Sequence, residues 1–310
     1  MSRIHEALKK AREERATVVQ ATEQAESMPS ADETAEGSAA TTAVMGEPAI
    51  RAGSDVLTLQ ALEAGCPRST WNPDPGSVLF AESQDRTLGT EEFRSLRSRL
   101  YQIREREKQP LQTVLVASAM AGEGKTFVAV NLARAIVQQR GRRVLLIDTD
   151  LRLSRMHTML GASLDPGVSE YLRGEADMFS VLQRGAQEGL VFIGGGKTAS
   201  NPAELIACGR LKPLIQRLAP LFDWIILDSP PSVPLTDASL LAEISDGVIM
   251  VVKAGETPYD IAQKGCQQFR DKHLVGVVLN RVAPGTSYGA YYYGADGQGS
   301  KNNKLSLIHI

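Results

Sequence analysis

Cysteine is scarce in this chain: Cys66, Cys208 and Cys266 are the three among 310 residues, and they are widely separated. No CxxC pair exists, which speaks against a disulfide framework, a zinc site or an iron–sulfur cluster bridging subunits, and makes a reducing cytoplasm the expected compartment. Long hydrophobic runs are missing too. No uninterrupted apolar stretch approaches the ~20 residues of a membrane-spanning helix. The charged N-terminus also lacks the apolar core of a signal peptide. Charge of one sign is not in excess: 34 Lys and Arg face 36 Asp and Glu, for a net charge of −2. That balance removes the electrostatic basis for non-specific binding of nucleic acid. Aromatic residues make up only 5%, yet four of the seven tyrosines fall between positions 288 and 293. What is plentiful is apolar residues, 43% of the chain, ample for the core of one large domain or two small ones.

Composition changes along the chain. Residues 1–19 place Ile4, Ala7, Leu8 and Ala11 at helical spacing among charges of both signs, which predicts a short amphipathic helix. It is either a solvated helix or a piece that docks on a partner, and the mixed charge disfavours a membrane surface. Residues 20–87 are rich in Ala, Ser, Thr, Glu, Gly and Pro, with too little apolar surface to offset ordering, and read as a disordered linker. Within it Asp55–Leu59 and Trp71, Val78, Leu79 and Phe80 are candidates for local docking. At Glu91 a helical pattern begins, with Phe93, Leu96, Leu100 and Ile103 on one face and Glu91, Arg94 and Arg97 on another. An ordinary charged face and a subunit contact both fit that second stripe. After residue 283 comes a glycine-rich tail, 284–304, carrying Tyr288, Tyr291, Tyr292 and Tyr293; an exposed, flexible segment is expected. The last residues, 305–310, read as a translated sequencing adaptor and are set aside from the fold.

Between these lies the ordered part, 88–283. Thr113–Ala117 is an apolar strand, Ser118–Thr126 is SAMAGEGKT, and Phe127–Ala133 continues as a helix. Two glycines let backbone N–H groups curl around an anion, Lys125 reaches outer phosphates, and the Thr126 hydroxyl suits magnesium. Ala119 stands where the first glycine of this phosphate-loop pattern usually stands. Two further apolar strands, 143–148 and 224–228, end in Asp148 (with Asp150 beyond it) and Asp228. Others follow at 189–193, 247–252 and 275–280, with helical patterns at 202–207, 211–218, 237–244 and 259–271. The alternation predicts an α/β fold: a doubly wound, mostly parallel sheet flanked by helices, with its ligand at the strands' C-terminal ends. Asp228 is the type of acid that holds magnesium, directly or through a neighbour. Asp148 and Asp150, two apart, would project the same way from an extended strand end and converge on one site, one of them free to act as a base. Two purely structural acids remain an alternative.

Ala119-x4-Gly124-Lys125-Thr126, Leu145–Arg152 with its DxDxR, and Ile225–Pro231 together resemble the Walker A, A′ and B motifs of the bacterial tyrosine autokinases of capsule and exopolysaccharide assembly, of the deviant P-loop superfamily. The resemblance runs from about Glu91 to Tyr293 and includes Asn201–Ile206. It implies ATP and Mg²⁺, a P-loop NTPase fold, nucleotide contacts from Ala121, Gly122, Glu123, Gly124, Lys125, Thr126 and Asn280, and metal contacts from Thr126, Asp150 and Asp228. Catalysis would rest on Lys125, Asp148, Asp150 and Asp228. Glu91, Arg94 and Arg97 match the family's ring-contact element ExxRxxR, and the four tail tyrosines match its autophosphorylated cluster, modified between subunits. A separate membrane-embedded polysaccharide co-polymerase is the implied activator, holding a cytoplasmic protein at the inner membrane and tying phosphorylation to polysaccharide polymerisation and export. Ala121 replaces a proline usual in that loop, which removes a fixed backbone dihedral without removing any phosphate-binding donor. Two other readings stand beside this one. A partition or division-site ATPase would carry an early loop lysine where this chain has Met120, and a kinase-like scaffold would not need the intact Lys125, Thr126 and aspartates.

Overall fold

The computed structural model describes residues 57–80, 87–233 and 235–282. The expected N-terminal helix at 1–19, residues 20–56 of the expected linker, and the tyrosine tail lie outside the described residues. Strands β1 (Thr113–Ser118), β2 (Val144–Asp148), β3 (Leu182–Arg184), β4 (Leu190–Ile193), β5 (Trp224–Asp228), β6 (Gly247–Lys253) and β7 (Leu274–Asn280) form one sheet in the order β3-β4-β2-β5-β1-β6-β7. All pairings are parallel except β3 with β4 at the edge. This is the doubly wound, mostly parallel sheet expected from the sequence. Its central strands read as unbroken apolar runs because helices cover both faces. Alternate residues serve opposite faces: Leu115 and Ala117 join one buried cluster, Val114 and Val116 the other.

The helices, in chain order, are α1 (Leu59–Gly65), α2 (Leu88–Arg106), α3 (Lys125–Val137), α4 (Met156–Leu160), α5 (Val168–Arg173), α6 (Met178–Val181), α7 (Pro202–Ala207), α8 (Leu211–Leu218), α9 (Asp237–Ala242) and α10 (Tyr259–Gln268). Thr87 caps α2 by accepting from the Thr90 N–H, and Phe93, Leu96 and Leu100 bury the face predicted for it. Phe93 meets Phe127 of α3 edge-on at 5.8 Å between ring centres. Helices α9 and α10 end two to three residues earlier than the apolar pattern suggests. Elements α4, α5, α6 and β3, of three to six residues, were not read from the sequence.

One expectation needs correcting: residues 57–80 are not a free linker. Leu62 and Cys66 enter the core on one face, Val78 and Phe80 on the other. Ser69 donates its N–H to the Arg184 carbonyl at 2.8 Å, and Trp71 packs edge-on against Phe192. The segment is too poor in apolar residues to fold alone, but most of its large apolar side chains find a place on a core already built by other elements. Buried polar side chains of α3 complete the attachment. Asn131 accepts from the Leu79 N–H (2.7 Å) and donates to the Ser77 carbonyl (3.1 Å), and Arg134 donates to the carbonyls of Leu79 (3.1 Å) and Phe80 (2.7 Å). Among the described residues no helix is long and apolar enough to cross a membrane.

Candidate functional site

Because β5 lies between β1 and β2, the loops leaving these three strands are neighbours at one sheet edge. The register places Asp228 beside both Val116 and Asp148. Residues far apart in the chain are therefore brought together by strand order alone.

The loop from Ser118 to Gly124 turns twice through the left-handed region, at Gly122 (φ 81°) and Gly124 (φ 96°). At Gly124, the residue just before α3, a side chain would be strained by φ and by contact: its Cβ would lie 2.0 Å from Asn280 Nδ2. Glu123, 3% exposed, ties the loop down. Its carboxylate accepts from the Met120 N–H (2.5 Å), the Thr257 hydroxyl (2.6 Å) and the Lys253 N–H (3.4 Å). Asn280 Nδ2 donates to the Glu123 carbonyl at 2.8 Å, and its Oδ1 accepts from the Arg281 N–H at 2.9 Å. The amide of Asn280 thus positions the loop, a role the sequence did not suggest for it or for Thr257.

Lys125 Nζ stands 3.4 Å from Asp150 Oδ2, and the Thr126 hydroxyl donates to Asp228 Oδ2 at 2.6 Å. Asp228 Oδ1 is buried without a partner. Burial pushes the Asp228 carboxyl up to about 7 even though Lys125 pulls the other way. Burial also lowers the Lys125 ammonium, but Asp228, Asp150 and Asp148 outweigh it and leave the lysine above its usual range. The lysine is held charged, and the acid beside it carries an uncompensated cost.

Asp148 and Asp150 do not project alike, because β2 stops at Asp148 and alternation ends with it. Asp148, fully buried, accepts from Asp150 N–H (3.1 Å), Ser154 Oγ (2.5 Å) and Met156 N–H (3.2 Å), so it shapes the loop 150–156. Burial raises its carboxyl to about 6. Asp150 accepts from the Leu153 N–H (3.0 Å) and turns its other oxygen to Lys125. Arg152 forks onto Asp237 of α9 at 2.8 and 3.0 Å and ties that loop to the far layer.

Beside the loop opens a cleft of ≈ 860 Å³, lined by Gly124, Thr126, Asn280 and Arg281 on one side and by Asp74 and Ser77 of the attached segment on another. Arg155 also faces it. None of Asp74, Ser77, Arg155 and Arg281 stood out in the sequence, though two polar residues inside the apolar α3 pattern, Asn131 and Arg134, marked that something docks there. The cleft is large enough for a nucleotide. The Thr126 hydroxyl and the unpartnered Asp228 oxygen form an all-oxygen set that fits a hard cation such as magnesium. Asp150, the third expected metal contact, has Lys125 Nζ 3.4 Å from its Oδ2. Among the described residues no group of three or more His, Cys, Asp and Glu surrounds a metal position. A cation here would rest on Thr126, Asp228 and the phosphates of the nucleotide.

The stripe Glu91, Arg94 and Arg97 is divided. Glu91 and Arg94 form a half-exposed ion pair, with Arg94 5.7 Å over the Phe80 ring. Arg97 turns inward and donates to the Ala135 carbonyl of α3 at 2.7 Å.

Residues 114–295 match the CobQ/CobB/MinD/ParA nucleotide binding domain family. The tyrosine-protein kinase YwqD of Bacillus subtilis is 30% identical over 220 residues, 70% of this chain and 91% of its own length. The tyrosine-protein kinase wzc of Salmonella typhi is 31% identical over 224 residues, 70% of this chain, but the match spans only 31% of that longer protein. Among solved structures, the kinase domain of the Escherichia coli tyrosine kinase ETK superposes with a TM-score of 0.60 at 29% identity, over 66% of this chain and 80% of that one. The chain belongs to the CobQ/CobB/MinD/ParA nucleotide-binding family and, within it, to the bacterial tyrosine-protein kinases.

Proposed function

We propose that the chain is an ATP-dependent tyrosine autokinase whose phosphate acceptors are Tyr288, Tyr291, Tyr292 and Tyr293 of a neighbouring subunit. The observation that carries this reading is the pairing of Lys125 with Asp150 and of Thr126 with Asp228 at the start of α3, where Gly124 and Thr126 line the 860 Å³ cleft. Backbone N–H groups of 121–126 would cradle the phosphates, and Lys125 would leave Asp150 to neutralise the outer ones. Thr126 and Asp228 would hold magnesium, which would supply charge neutralisation at the phosphate oxygens. Asp150 is the better base of the two acids after β2, since both oxygens of Asp148 are committed to its own loop. It would take the tyrosine hydroxyl proton as the phenolic oxygen bonds to the γ-phosphorus and ADP leaves.

A ring built on Glu91 and Arg94 would deliver the tail of one copy to the site of the next. Charge added with each phosphate, about −1.5 to −2, would then loosen it. A separate membrane co-polymerase would recruit the protein to the inner membrane and couple the cycle to polysaccharide polymerisation and export. The test is phosphotyrosine formation with Mg-ATP, with and without a co-polymerase tail, in the unaltered chain, in Lys125→Met and in the four-fold Tyr→Phe variant. Label is expected in the first alone. ATP turnover with no tyrosine labelled under any condition would replace this reading with a nucleotide-switched ATPase.

A further inference from the structure

A second cavity, ≈ 500 Å³, opens at the opposite edge of the sheet from the phosphate loop, where β2 and β4 begin. Five arginines line it: Arg68, Arg140, Arg142, Arg143 and Arg184, against two acids, Glu63 and Glu188. Three of the five are engaged. Arg142 pairs with Asp223, Arg184 with Glu63, and Arg68 donates to the Ala186 carbonyl. Among the described residues the side chains of Arg140 and Arg143 have no partner. Arg143 Nε and Gln187 Oε1 are buried there with nothing to bond. The Arg143 donor is the kind of group an anionic ligand satisfies, whereas the Gln187 oxygen is an acceptor and calls for a donor.

The wall is not only basic. Leu59, one of the few large apolar side chains left exposed, lines the cavity with Leu62, Val137 and Phe222. A basic rim over an apolar floor selects an anion carried on an apolar body; free phosphate would use only half of it. A concave cavity of this size also suits an inserted side chain better than a flat anionic surface does.

We propose that this cavity binds phosphotyrosine, with the phosphate on Arg140 and Arg143 and the ring on the apolar floor. The chain carries four tyrosines at 288–293. Their source as phosphotyrosine rests on the autokinase reading, but the site itself does not. Bound there, a phosphorylated tail is held at the edge of the sheet remote from the phosphate loop, out of reach of a further transfer.

The test uses the full chain with Lys125→Met, so that its own tail is free of phosphate, and a synthetic peptide of residues 286–296 with and without phosphate on its tyrosines. Calorimetry should show the phosphopeptide binding at least tenfold more tightly than the plain peptide or inorganic phosphate. Arg140→Gln with Arg143→Gln should remove that preference, while the same pair in the chain with Lys125 intact leaves Mg-ATP turnover unchanged. Arg140 is exposed in a turn, so Arg140→Gln alone serves if the double variant folds poorly. Equal affinity for the two peptides, affinity matched by inorganic phosphate, or an unchanged preference in the variants would overturn the assignment. So would binding to phosphatidylglycerol vesicles that the phosphopeptide cannot displace, which would make the rim a membrane contact. Because the peptide is synthetic, failure here leaves the kinase reading to its own phosphotyrosine assay.

Discussion

Burial holds the Asp228 carboxyl at about 7 in the folded chain, against 3.8 for a free one. Proton binding is therefore tighter in the folded state, so this group favours folding below about pH 4, and the benefit is lost as pH rises to about 7. Replacing Asp228 by Asn should raise the melting temperature by several degrees at pH 7.5, with the gap closing toward pH 4. A gap that stays the same at both pH values would mean the carboxylate is compensated after all. The same substitution should cut Mg-ATP turnover by about 10²–10³-fold, the usual loss when one charge-stabilising group is removed. Stability and activity then move in opposite directions at a single position. Gly124 gives a second residue-scale expectation. Gly124→Ala combines a φ of 96° with a Cβ 2.0 Å from Asn280 Nδ2, so nucleotide affinity should drop at least tenfold while far-UV circular dichroism stays unchanged. Retained affinity would show that the loop can shift at little cost.

Among the elements, the segment 71–80 depends most visibly on a few contacts. Asn131→Ala leaves the Leu79 N–H and the Ser77 carbonyl without their partners, a loss of about 2–3 kcal/mol. Denaturant unfolding should register it, and limited proteolysis should cut between residues 71 and 80 sooner than in the unaltered chain. If neither changes, the attachment rests on Val78 and Phe80 alone. Helix α2 separates two roles that share one stripe. Arg97→Ala should lower stability by about 1–2 kcal/mol through the Ala135 carbonyl it abandons. Arg94→Ala removes only a half-exposed pair worth less than about 1 kcal/mol. The three-residue interval of Glu91, Arg94 and Arg97 was legible in the sequence, but not which of them turns inward. That depends on where α3 lies.

At the scale of the whole molecule, the proposed ring requires Glu91 and Arg94 to face a neighbour. Light scattering on Glu91→Ala with Arg94→Ala should give a lower mass than the unaltered chain under conditions where the latter assembles, with little change in melting temperature. An unchanged mass would leave the pair an ordinary surface ion pair. The sheet explains why so distributed a site can form: one crossover from β1 to β2 leaves a place for β5 between them, and three acid-bearing or phosphate-binding ends become adjacent.

The sequence by itself determined the parallel sheet, the order of its long elements and the identity of the phosphate loop, because unbroken apolar runs and a strand–glycine–helix pattern are local and need no partner to be read. It also pointed to Lys125, Thr126, Asp150 and Asp228. Only the tertiary structure decided what each of them touches. Asp148, where β2 ends, accepts three hydrogen bonds from its own loop, and Asn280 and Glu123 became the ties of the phosphate loop across 157 residues of chain. Residues 57–80 became ordered for the same reason: burial depends on the surface a segment finds, and its own composition does not contain that surface.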